Sequence, residues 1–203
     1  MIKTIFFDAD GVIIKKHDYY SKELAKEYNI SLESLNAFYK GDFLLCEAGK
    51  ADLKEKFAPY LEKWGIKKSV DEILVDWFRY GNELDDRVVE SIKDLRSQGI
   101  KCFVTTNNEK YRVEFFKKNL DFDSLVDGVF PSCELGCFKK QPEFWIQVLK
   151  KFSNLKKEEV LVLDDDMKNV EVAKAFGFHA EFYSDFEDYE TKLKFYLNGK
   201  RTV

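Results

Sequence analysis

The 203-residue chain has no CxxC pair and only two histidines, His17 and His179. Its cysteines, Cys46, Cys102, Cys133 and Cys137, follow no zinc-ligand spacing, which argues against a zinc site. Cys102 sits within an apolar run, where a free cysteine behaves as a small buried hydrophobe. A reducing cytoplasm is the expected compartment. The sequence has no apolar run of about 18 residues, so no membrane-spanning helix is expected. Met1-Ile2-Lys3 leads directly into Thr4-Ile5-Phe6-Phe7 and then into acids, too short an apolar stretch for a signal peptide. A basic arm or stripe is missing too, and the net charge is −4. Nucleic acid is therefore not an expected partner. Phosphorylated small molecules still fit, because a local site can be positive on an acidic chain. There is no internal repeat and no low-complexity linker.

What is present suits one core domain with a modest insertion, and 45% apolar residues suffice for a real core. Residues 2–7 form an apolar run ending in acids and read as a strand buried on both faces. Further strands are expected over residues 100–104, 128–130, 160–163 and 180–183. Helical spacing lies between them. Leu84, Val88, Val89, Ile92 and Leu95 recur on one face and Gly99 terminates the pattern. Val113, Phe116 and Leu120 predict a second helix, residues 144–152 a third, and Val170, Ala173 and Phe176 a fourth closed by Gly177. A last helix is expected after residue 186, with Phe195, Tyr196 and Leu197 packing on the sheet and the final few residues frayed. Strands alternating with helices predict an α/β fold with a parallel sheet.

Residues 16–83 interrupt that alternation with helix signals alone. Segments 22–28, 32–39 and 52–64 read as helical, and Ser69-Val70-Asp71-Glu72 is a capping-box pattern opening another. The expected organisation is a core of residues 1–15 and 84–203 with residues 16–83 inserted.

Ligands in an open parallel sheet sit beyond the carboxyl ends of its strands. The first end reads Asp8-Ala9-Asp10-Gly11, two carboxylates at a strand tip. One could attack phosphorus and the other handle protons; the same pattern is also an ordinary turn. The second end, Thr105-Thr106-Asn107-Asn108, offers hydroxyls and amides to phosphate oxygens, and serves equally as a helix N-cap. The third, Asp164-Asp165-Asp166, places three acids together. Such a cluster wants a cation, and magnesium takes a few carboxylate oxygens; a solvated helix start is the other reading. Between them lies Gly136-Cys137-Phe138-Lys139-Lys140-Gln141-Pro142. A lysine there could neutralise charge developing during phosphoryl transfer, or simply be surface charge.

Taken in order, these four segments resemble the signatures of the haloacid dehalogenase-like (HAD) hydrolase superfamily, over residues 2 to about 177. The resemblance implies a Rossmann-like parallel-sheet core with an inserted α-helical cap. It implies Asp8 as nucleophile, and Asp10 as general acid/base whose main-chain carbonyl also binds Mg2+. Thr106 and Asn107 stand at the phosphate-binding signature. Thr105 competes with Thr106, but its side chain should point to the other face of the strand. Lys139 fits the third signature. Lys140 stands where many relatives have proline, which leaves two lysines for one role. Asp165 is implied as metal ligand beside Asp8 and Asp10, with Asp164 a direct or indirect partner. The run Asp164 to Asn169 is similar to one phosphatase-rich branch.

The implied activity is magnesium-dependent hydrolysis of a small phosphomonoester through a phospho-aspartyl intermediate, by a cytoplasmic monomer or small homo-oligomer. A sugar-phosphate mutase and a non-catalytic phosphometabolite-binding protein are the rival readings. Asp10 argues against dehalogenation, because a departing halide needs no proton. Residues 47–50 resemble a cap turn that faces substrate in several relatives. Lys50, Arg79 and Tyr39 are the candidate cap contacts, though two solvated cations and a core tyrosine are the better expectation.

Overall fold

The computed structural model describes residues 1–198. Its centre is β1 (Thr4–Phe7), whose four residues are all buried. Side chains alternate across the strand. Ile5 and Phe7 join one apolar cluster with Cys102, Val104, Leu161 and Leu163. Phe6 enters the opposite cluster with Phe103, Trp145, Val160 and Val162. A strand covered on both faces needs apolar residues throughout, which is why TIFF reads as a continuous run.

Five helices follow β1: α1 (Tyr20–Tyr28), α2 (Leu32–Ala37), α3 (Phe43–Glu47), α4 (Leu53–Lys63) and α5 (Val70–Arg79). A π-helical turn over Phe38–Asp42 joins α2 to α3. These helices enclose an apolar cluster of their own, including Leu24, Phe38, Phe57, Leu61 and Ile73. Phe38 and Phe57 stack at 4.5 Å within it. Ser69 caps α5 with the reciprocal Glu72 bonds of a capping box. The two connections to the sheet run side by side: Ile14 bridges Leu84, and Asp85 N–H donates to the Ile13 carbonyl at 2.9 Å.

The rest of the chain alternates: α6 (Asp86–Ser97), β2 (Lys101–Thr106), α7 (Lys110–Asn119), α8 (Phe122–Leu125), β3 (Val129–Pro131), α9 (Ser132–Leu135) and α10 (Pro142–Leu149). Next come β4 (Val160–Asp164), α11 (Met167–Phe176), β5 (His179–Phe182) and α12 (Phe186–Asn198). The sheet order is β3-β2-β1-β4-β5, every neighbouring pair parallel. The fold is an α/β Rossmann-like sheet with flanking helices. Phe7 pairs with Val104 on one side and Leu163 on the other, so the carboxyl ends of β1, β2 and β4 lie close together. The chain builds outward from β1 through β2 to β3, then crosses back to place β4 on the other side of β1, and that reversal opens a crevice at the carboxyl edge.

Some elements differ from the sequence expectation. β2 runs on to Thr106 and β4 to Asp164; Thr106 Oγ1 accepts from Asn108 Nδ2, and the Asp164 carboxylate meets Lys139 and Asn169, so these polar residues can close their strands. The helices α3, α8 and α9 were not expected; four or five residues are too few to show a helical period. In α12, Tyr189 and Leu193 are buried and Tyr196 and Leu197 pack against the same cluster, as expected, while Phe195 is exposed. The fraying expected of the final residues falls outside the described ones.

Candidate active site

Asp8 is the first residue beyond β1. Its N–H donates to the Leu163 carbonyl at 2.9 Å, continuing the β1–β4 pairing by one residue. Its Oδ1 accepts from the N–H of Ala9 at 2.8 Å. The chain then turns sharply: Ile14 N–H reaches the Ala9 carbonyl and Gly11 N–H the Ile14 carbonyl, both at 2.8 Å. Gly11 has φ +90°, and a Cβ there would lie 2.4 Å from Asp165 Oδ2. The absent side chain is what lets the Asp165 carboxylate approach the turn that follows Asp8.

Lys139 is 1% exposed. Its Nζ lies 2.6 Å from Asp8 Oδ1 and 2.7 Å from Asp164 Oδ2. The backbone N–H of Lys139 donates to Asn107 Oδ1 at 3.0 Å, so Asn107 fixes where the lysine enters. Lys140 is exposed, its ammonium over the Phe138 ring. Asp164 is fully buried; its Oδ1 accepts from Asp166 N–H at 2.9 Å and Asn169 Nδ2 at 3.0 Å. Asp166 caps α11 through Lys168 N–H rather than joining the site.

Burial raises the Asp8 carboxyl well above the usual range; Lys139 opposes this, and the carboxylates of Asp164 and Asp10 reinforce it. Burial works against the Lys139 charge, but Asp8 and Asp164 override it and hold the ammonium above the ordinary lysine range. One ammonium faces more than one carboxylate. Oxygens of Asp8, Asp164 and Asp165 all lie within 4.8 Å of one another. Buried like charges this close need a further cation, and an all-oxygen donor set suits magnesium. The donors present fit that ion.

Asp10 points elsewhere. Its Oδ2 accepts from Asn108 Nδ2 at 2.8 Å and its Oδ1 from Arg112 Nη2 at 3.0 Å. Asn108 Nδ2 also reaches Thr106 Oγ1 at 2.7 Å, joining the second strand end to the first. Thr105 is fully buried on β2, its hydroxyl without a partner among the described residues. The residues expected from the sequence are thus gathered at one edge: Asp8, Asp10, Thr106, Asn107, Lys139, Asp164 and Asp165.

Above them is a cavity of about 440 Å3 between the sheet edge and the five-helix insert. Asp10, Asn107, Asn108 and Asp165 form part of its floor, and Tyr20, Phe43, Glu47, Trp77 and Phe78 part of its roof. Lys50, Arg79 and Tyr39 do not line it. Lys50 and Arg79 are exposed, and the Tyr39 hydroxyl is buried without a partner among the described residues. Sequence reasoning missed Arg112, whereas Asn108 stood in the second strand-end motif and Glu47 in the 47–50 turn. The signal for Arg112 was its place one helical turn beyond Asn108, at the start of α7.

A family model described as haloacid dehalogenase-like hydrolase matches residues 2–177. The chain is a HAD-like hydrolase. It is similar to several curated proteins that are named phosphatases. It is 25% identical to a D-ribitol-5-phosphate phosphatase of Bacteroides thetaiotaomicron, over 98% of this chain and all of the relative. It is 26% identical to a probable pseudouridine-5'-phosphatase of Saccharomyces cerevisiae, covering 88% of the HAD-like chain and 80% of the relative. Solved structures share the fold. A HAD-like family hydrolase from Porphyromonas gingivalis superposes with a TM-score of 0.81 at 23% identity, over 98% of this chain and 100% of that one. A HAD family enzyme of B. thetaiotaomicron, solved with magnesium and inorganic phosphate, gives 0.77 at 20% identity, over 90% and 94%. Among the described residues, no helix of this hydrolase is long and apolar enough to cross a membrane.

Proposed function

We propose that this HAD-like hydrolase is a magnesium-dependent phosphomonoesterase that cleaves a small phosphorylated metabolite through a phospho-aspartyl intermediate on Asp8. The observation that carries the reading is the position of Asp8: at the switch point of the sheet, paired with Lys139, and beside the Asp164–Asp165 carboxylates.

Asp8 attacks phosphorus in line, and the bond to the leaving oxygen breaks. Protonated Asp10 hands its proton to that oxygen, so the product leaves as a neutral alcohol. Asp10, now a carboxylate, takes a proton from water. The water oxygen attacks the phosphoryl group and frees inorganic phosphate and Asp8. Throughout, the Lys139 ammonium neutralises Asp8, and Thr106 and Asn107 are placed to orient phosphate oxygens. Asp8, Asp165 and the Asp10 carbonyl, with Asp164 beside them, would hold magnesium, which screens the phosphate charge from the nucleophile. Two unit charges about 4 Å apart repel by ~4 kcal/mol at an effective dielectric of about 20. That is roughly a thousandfold in rate.

The five-helix insert, residues 16–83, acts as a cap that excludes water and bounds substrate size. Support for a small ester comes from the cavity of about 440 Å3 and from relatives named for phosphorylated metabolites. The test is phosphate release from a panel of phosphomonoesters, with magnesium or chelator. Release that needs magnesium and is lost in Asp8→Asn is the expected result. Wild-type turnover by folded Asp8→Asn would sink the assignment.

A further inference from the structure

The loop from β2 to α7 carries two asparagines in succession, and they serve different partners. Asn107 Oδ1 accepts from the Lys139 N–H at 3.0 Å. Asn108 Nδ2 lies 2.8 Å from Asp10 Oδ2 and 2.7 Å from Thr106 Oγ1. An amide nitrogen carries two hydrogens, so both are committed.

Asn108 is held from both sides. Thr106, 1% exposed, closes β2 two residues before it. Glu109 follows it as the buried N-cap of α7, and its carboxylate accepts from the N–H groups of Tyr111 at 2.7 Å and Arg112 at 2.6 Å. Ser132 Oγ, fully buried, reaches the Asn108 carbonyl at 3.5 Å. The amide is thus anchored between a strand end and a capped helix start.

For Thr106 the consequence is hydrogen-bond polarity. A hydroxyl has one O–H and two lone pairs. Accepting from Asn108 uses a lone pair and leaves the proton, which no other group of the described residues accepts. The hydroxyl is therefore prepared as a donor, and the bond it accepts strengthens the bond it gives. A phosphate dianion can only accept. Without the amide, the same hydroxyl is free to turn its proton to a nearby main-chain carbonyl and its lone pairs to the anion.

For Asp10 the consequence is position. Asn108 holds Oδ2 while Arg112 holds Oδ1. Each carboxyl oxygen keeps a second lone-pair direction for the transferable proton. One NH2 group therefore sets the spacing of two groups that act on one phosphoryl centre, Thr106 on a non-bridging oxygen and Asp10 on the leaving oxygen.

We propose that Asn108 is a positioning residue that commits the Thr106 hydroxyl to donating toward phosphate and fixes Asp10 relative to it. The Asp10 half rests on the phosphatase reading; the Thr106 half is tested by binding alone.

The experiment uses Asn108→Leu and Asn108→Ala, and either one that melts like wild type suffices. Calorimetry of inorganic phosphate binding to the magnesium-loaded protein compares wild type, the Asn108 variant, Thr106→Val and the double variant. Each single change weakens binding about tenfold, the loss of one hydrogen bond to a charged group. The double variant binds at least about threefold more tightly than the product of the single losses, because Asn108 acts through Thr106. In turnover, kcat for the best alkyl phosphate of the panel falls at least about tenfold relative to kcat for p-nitrophenyl phosphate, whose leaving group needs little help from Asp10. Unchanged phosphate affinity in the Asn108 variant, fully multiplicative losses, no phosphate binding by wild type, or an unchanged alkyl-to-aryl ratio overturns the proposal. Wild type inactive on every ester overturns the phosphatase reading instead, and the phosphate-binding cycle still decides whether Asn108 acts through Thr106.

Discussion

Arg112 joins the acid Asp10 to the insert: its Nη2 lies 3.0 Å from Asp10 Oδ1, while its Nη1 donates to the Phe78 carbonyl of α5 at 2.9 Å. The guanidinium is buried, packed 4.8 Å from the Phe116 ring. It therefore fixes where Asp10 waits relative to α5. Arg112→Met should lower kcat most for alkyl phosphates, whose leaving oxygen needs the Asp10 proton. Aryl phosphates with acidic leaving groups should lose less. A well-placed general acid is worth about 10²–10⁴ in rate, and a displaced one should leave roughly a tenth to a hundredth of the activity toward alkyl esters. Arg112→Lys should recover part of it. Equal losses for alkyl and aryl esters would reduce Arg112 to a structural role.

A second expectation concerns the buried charge balance. Lys139 serves both Asp8 and Asp164, and all three are at most 7% exposed. Removing one partner of a buried pair leaves uncompensated charge and costs about 3 kcal/mol or more. Lys139→Met should therefore melt roughly 6–12 °C below wild type in chelator. Added magnesium should restore part of the difference, because it would neutralise the same carboxylates. Calorimetry with and without the ion measures both effects. A Lys139→Met protein that melts like wild type would show that the ammonium does not balance this site.

Much of the site could be seen in the sequence because the residues at the strand ends are local. Asp8 and Asp10 follow one strand, Thr106 ends another, and Asp164 and Asp165 close a third. Apolar runs buried on both faces gave the strand positions, and alternation with helices gave the parallel sheet. Contacts between distant segments were not visible. Asn108 and Arg112 lie 98 and 102 positions from the Asp10 they hold. The choice between Lys139 and Lys140 depended on Asn107 reaching the Lys139 backbone, which no spacing encodes. On the insert, Lys50, Arg79 and Tyr39 were named as candidate contacts but do not line the cavity. Glu47 faces the cavity because its turn docks on Ser132 and Cys133.

Gly11 allows a direct test of the candidate metal centre. Its φ of +90° is strained for any residue with a Cβ, and that atom would sit 2.4 Å from Asp165 Oδ2 and 2.7 Å from its Cγ. Gly11→Ala should push Asp165 away from Asp8 and Asp164. Groups that orient metal ligands typically change affinity by about 10–100-fold. The magnesium concentration giving half-maximal activity should rise by at least about tenfold. Gly41→Ala, in the π-helical turn with open space around it, should leave that concentration unchanged. Equal magnesium requirements in the two variants would remove Asp165 from the metal site.

The Glu47 carboxyl should also appear in the pH dependence of stability. Its ordinary value is 4.5, and burial with Glu109 beside it raises the folded value to about 8. Below the unfolded value the group is protonated in both states, so the associated stability is fully present. As pH rises from there toward about 8, the unfolded chain releases a proton that the folded chain retains. Stability therefore falls across that window. Glu109, raised to about 7, loses stability in the same direction, but it is present in wild type and variant alike. Glu47→Gln has no such proton to lose. Its melting temperature relative to wild type should climb between about pH 5 and pH 9. A climb of roughly 2–4 °C corresponds to about 1 kcal/mol in a domain of this size. A difference that stays flat across the range would mean that the carboxyl is solvated and titrates normally. An unpartnered carboxyl over the cavity would then be excluded by a measurement that requires neither substrate nor metal.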